Sequence, residues 1–229
     1  MEEFLEKLKE LTLAAVCGRR FILIKSLIKW FREHPDKVAN LANKAYANTS
    51  HLGLPIQPKS ILHSDCLLLV FSLLLELGYG KLIHSFKRRI DDGESFSSID
   101  NKRANEILVE AVRQSELAAT DQEGLATLFE RRKWRYRPAL LEYDHQRDWD
   151  HEVILPLLTM ESINTKGGTA SLWFIDVPVE FVNDMLNAVV APFKRKHEPT
   201  GIEVRELRFI CVVAHQRSEL TCSSATALR

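Results

Sequence analysis

Between Cys66 and Leu75 every residue except Ser72 is apolar, and the run stops at Glu76. The stretch is too short to span a bilayer. Read as a helix opened by Ser64, whose hydroxyl can accept a first-turn amide, it sets Leu67, Leu68, Val70, Phe71, Leu74 and Leu75 around most of its circumference. A helix apolar on all sides is stable in water only when other helices enclose it. The first half of the chain is therefore expected to be a helical bundle.

The flanking sequence supplies those helices. Phe4, Leu5, Leu8, Leu11, Leu13 and Ala15 recur near helical spacing, which predicts a helix over about 2–16, with Gly18 as its stop. A second helix is expected from Phe21 to about Arg32, with Lys25, Lys29 and Arg32 along one face. His34-Pro35-Asp36 breaks it, and a third follows through Tyr46. Beyond the central run, Ala104 to Ala119 and Leu125 to Phe129 carry two more.

After residue 130 the periodicity changes. Glu152–Met160 and Ala170–Ile175 read as two strands joined by a turn at Thr165-Lys166-Gly167-Gly168. Pro178 is placed to open a helix whose apolar face is Phe181, Val182, Met185, Leu186 and Val189. Glu203 to Val213 alternates as a third strand. The fold class expected is α+β: a mainly helical N-terminal bundle over 1–130, a smaller α+β region over 131–216 with a short antiparallel sheet, and a flexible tail over 217–229.

Composition narrows the function classes. Lys+Arg and Asp+Glu balance at 31 each, so no global field steers the protein onto nucleic acid or a membrane. Any such binding has to come from a local patch. The four cysteines, Cys17, Cys66, Cys211 and Cys222, show no C-x-x-C spacing and no disulfide framework, which is cytoplasmic usage. The acidic start Met1-Glu2-Glu3 does not read as a signal peptide. A Walker A loop and a G-x-G-x-x-G fingerprint are both absent.

Two local clusters carry chemistry. In Arg131-Arg132-Lys133-Trp134-Arg135-Tyr136-Arg137, cations flank two aromatics. Cations neutralise phosphates while aromatic planes stack on bases, so this pattern suits a nucleic acid. If extended, it would set Lys133, Arg135 and Arg137 on one face and Trp134 and Tyr136 on the other. The blander reading is a solvated surface whose aromatics belong to the core.

The second cluster holds Glu142, Asp144, His145, Asp148, Asp150, His151 and Glu152. Asp144, Asp148, Asp150 and His151 are the candidate ligands for a divalent metal, which could activate water for hydrolysis. Neither H-E-x-x-H nor a calcium-loop spacing is met, so an ion-pair network is the competing account. Asp176, near a strand end, is read as a residue entering the following helix.

With no compelling catalytic constellation, the first reading is a non-catalytic interaction or regulatory module whose partner is another protein, with no cofactor and no membrane. The alternatives are a nucleic-acid-binding protein using residues 131–137 and a metal-dependent hydrolase or nuclease using residues 142–152.

Overall fold

The computed structural model describes residues 1–47, 56–91, 102–113, 119–142, 151–164, 170–190, 194–197, 204–216 and 219–225. The fold is α+β, and the chain divides into two compact units. Unit 1 comprises Met1–Leu11 and Ile24–Arg137; unit 2 comprises Thr12–Leu23 and Pro138–Arg229.

Unit 1 contains eight described helices: α1 (Glu2–Glu10), α2 (Ile24–Glu33), α3 (Pro35–Tyr46), α4 (Pro58–Leu62), α5 (Asp65–Glu76), α6 (Ile83–Asp91), α7 (Lys102–Arg113) and α8 (Ala119–Lys133). The apolar run is α5, and Leu67, Leu68 and every residue from Val70 to Leu75 are buried. Ser64 caps it as expected, its Oγ accepting from the Leu67 amide at 3.3 Å. Ser72, the polar residue inside the run, is accommodated because its Oγ donates to the Leu68 carbonyl at 2.7 Å.

Gly78 ends α5 with φ +81°, a conformation that costs an L side chain about 1–2 kcal/mol. The Tyr79 amide then bonds back to Leu74 O at 2.7 Å and the Gly78 amide to Leu75 O at 3.0 Å, the paired bonds of a Schellman ending. Gly80 follows for a different reason. A Cβ there would lie 2.7 Å from Leu75 Cδ2 and 3.0 Å from Ala45 Cβ, so glycine lets the turn after α5 lie close to both side chains.

Around α5 the core is aromatic at both ends of the sequence order. Phe4 of α1 stacks on Phe31 of α2 at 5.9 Å, and Phe86 of α6 stacks on Phe129 of α8 at 6.3 Å. Charged residues fix α1 and α2 from outside: Lys37 binds Glu3 and lies 5.3 Å from the Trp30 ring centroid, while Arg32 reaches Asp65 at 2.5 Å.

Unit 2 begins inside the helical sequence. The helix expected to run through residue 16 stops at Glu10, and a hairpin of β1 (Thr12–Ala14) and β2 (Arg20–Ile22) follows. The cause is a short alternation: Leu13 and Ala15 are buried while Ala14 and Val16 are exposed. Gly18 does adopt positive φ, +78°, but in the hairpin turn rather than at a helix end.

The main sheet is antiparallel and ordered β3 (Thr159–Asn164), β4 (Ala170–Pro178), β6 (Val204–Gln216), β5 (Lys194–His197), with β7 (Glu219–Ala225) also on β6. β5 pairs with residues 204–207 of β6 and β7 with residues 211–216, so both flank the edge of β6 away from β4. A bulge separates Ser162 from Asn164 in β3.

Several expectations change here. The strand expected from Glu152 starts only at Thr159, in line with Pro156 interrupting a ladder. Residues Glu219–Ala225, within the stretch read as a tail, continue the sheet. Lys194-Arg195-Lys196 belongs to β5. Pro178 is followed by a 3₁₀ turn, and helix α9 (Asp184–Val190) opens only after Asn183, whose Oδ1 accepts from the Leu186 amide at 2.8 Å. Phe181, Val182 and Leu186 are buried as expected, whereas Met185 is 64% exposed. The turn at 165–168 lies outside the described residues.

Candidate functional site

The basic-aromatic segment is not extended. Arg131, Arg132 and Lys133 form the last turn of α8, where cations offset the negative end of the helix dipole, and Trp134–Tyr136 continue as a 3₁₀ turn. The helix carries forward from Leu125 and Phe129, both buried, so the strand alternation never applies. Helical spacing instead buries Lys133 and Tyr136, three apart, leaves Trp134 and Arg135 half-buried, and exposes Arg131, Arg132 and Arg137.

The inward residues converge on one carboxylate. Glu76, the last residue of α5, keeps only 15% of its side chain exposed. Its Oε1 accepts from Arg132 Nη1 at 3.0 Å and Arg135 Nη1 at 2.6 Å, and its Oε2 accepts from the Tyr136 hydroxyl at 2.9 Å. A carboxylate at a helix C-terminus opposes the dipole, and the two guanidinium groups compensate for it.

Burial first, and then the Glu76 charge, push the Tyr136 phenol well above its ordinary range, so it stays protonated and donates. Lys133 is held separately: its Nζ contacts Glu130 at 2.5 Å and lies 5.2 Å from the Trp134 ring centroid. Glu130 also accepts from Asn105 Nδ2, which ties α7 to α8. Arg132, Lys133, Trp134, Arg135 and Tyr136 all make such contacts inside unit 1. Arg131 and Arg137 remain on the exposed side with Arg132, which is partly in solvent.

Of the acidic-histidine cluster, Asp144, Asp148 and Asp150 lie outside the described residues. His151 is exposed, with Nε2 3.3 Å from Glu152 Oε1. Among the described residues no group of three or more His, Cys, Asp or Glu gathers as a metal would require. What the segment does show is a backbone contact. The Arg19 guanidinium, from the β1–β2 turn, donates to the carbonyls of His151 at 2.8 Å, Glu152 at 2.5 Å and Val153 at 3.4 Å. The Val16 amide adds a bond to Leu157 O at 2.8 Å, and Phe21 meets Phe181 edge-on at 5.5 Å.

Asp176 corrects another expectation. It sits within β4, 5% exposed, and accepts from the Thr159 hydroxyl across the β3–β4 pair rather than entering a helix. Sequence patterning missed Glu76 as a centre, although a lone carboxylate ending an apolar run was its visible trace. Nothing in the local sequence marked Arg19 as a clasp, since its partners lie 132 to 134 residues away.

The thiols divide by environment. Cys17 is exposed at the hairpin turn, whereas burial pushes the Cys66 thiol up to about 12, which leaves it a poor nucleophile at neutral pH. No helix among the described residues is long and apolar enough to cross a membrane. The chain matches no protein-family model, no curated protein and no solved structure.

Proposed function

We propose that this chain is a non-catalytic protein-interaction or regulatory module that works in the cytoplasm within a larger complex. The observation that carries this reading is the exposure of large apolar side chains in unit 2: Leu140, Phe174 and Met185 all face solvent. Met185 is the clearest, because its helix buries Leu186 and leaves Met185 itself 64% exposed. Methionine and aromatic side chains are enriched at protein interfaces, where they add contact area and adapt to a partner. The inward turn of Arg132, Arg135 and Tyr136 onto Glu76 supports the same reading, since it assigns those groups a structural task.

The test is gentle purification from the native source. A stoichiometric partner protein is expected, and Met185→Glu with Leu140→Glu should release it while the far-ultraviolet circular dichroism stays unchanged. A chain that always elutes alone would overturn the proposal. Metal and nucleic-acid content measured on the same sample would redirect it toward one of the other readings.

Nucleic-acid binding is the second reading, favoured by the exposed Arg131, Arg132 and Arg137. Its probe is Arg131→Ala, because Arg132→Ala and Arg135→Ala also break the Glu76 network. Each phosphate contact removed should lower the salt-dependence slope by about 1. Salt-independent or absent binding would eliminate this reading.

A further inference from the structure

We draw no further inference here: the strongest candidate, the edge of β3 left open among the described residues beside the exposed side chains of Ile163 and Phe174, is interrupted by the bulge at Ser162/Asn164, and nothing in the structure shows what would cover it.

Discussion

The two units hold a charged side chain in different ways. In unit 1, Glu76 meets two guanidinium groups and a phenol, so charge is answered by charge and by a hydroxyl. In unit 2, the acceptors Arg19 meets among the described residues are backbone carbonyls. Removing one member of the first set strands ions and a buried hydroxyl, a desolvation cost that water cannot fully repair. Removing Arg19 strands neutral acceptors next to the exposed His151, where water can enter. The first arrangement fixes how α8 ends against α5. The second tethers a hairpin to a segment far away in the sequence.

Removing the hairpin as a whole gives the largest expected effect. Leu13, Phe21, Ile22 and Leu23 are buried. Each contributes about 1.5–3 kcal/mol of burial, a sum comparable with the ~5–15 kcal/mol that stabilises a whole domain. Residues 138–229 expressed alone are therefore expected not to fold, and fusing residues 12–23 to them through a flexible linker should restore a dispersed amide spectrum. A well-dispersed spectrum from 138–229 alone would show that the hairpin is dispensable and remove the contrast.

Glu76→Ala is next. It leaves Arg132, Arg135 and Tyr136 without their shared acceptor, and the partial exposure of Arg132 moderates the loss to about 2–3 kcal/mol. Urea unfolding should show the midpoint falling with the slope retained. Glu76→Gln, which keeps one carbonyl oxygen as an acceptor but loses the charge, should fall between the native protein and Glu76→Ala. A change below about 0.5 kcal/mol, the range of ordinary surface substitutions, would mean that the convergence on Glu76 is incidental.

Arg19→Ala is expected to cost less, about 1–2 kcal/mol, because hydrated carbonyls replace the guanidinium contacts. Hydrogen exchange locates the effect: the Val16 amide, bonded to Leu157 O, should lose protection while the amides of α5 keep theirs. Equal loss in both units would contradict the idea that the clasp acts locally.

These features were unequally legible in the sequence, and distance along the chain is the main reason. The α5 helix was readable because burial on all sides leaves an uninterrupted apolar run, and its cap Ser64 sits immediately before it. β6 was readable from its alternation. The β1–β2 hairpin was not, because Leu11, Leu13 and Ala15 fit a helical stripe as well as a three-residue strand, and β1 is only three residues long. The orientation of Arg135 and Tyr136 could not be read locally, because their partner lies 59 and 60 residues upstream. Naming the residues of a candidate cluster was thus insufficient: whether a cation faces solvent or a carboxylate was decided by a residue on another helix.

The smallest expected effect tests whether unit 1 is as closely specified at its surface as at Glu76. Gly124 lies in α8, exposed, and a Cβ added there would meet nothing within 4 Å. A glycine inside a helix costs about 0.5–1 kcal/mol relative to alanine, since the unfolded chain loses more freedom on ordering it. Gly124→Ala should therefore stabilise unit 1 by that amount, read as a small rise in the urea midpoint. Gly80→Ala provides the opposing control, because the same added methyl would collide with Leu75 and Ala45 and lower the midpoint. If Gly124→Ala also destabilises, the α8 face around it is packed more tightly than its exposure indicates. The contrast between a specified interior and a permissive surface would then fail for this unit.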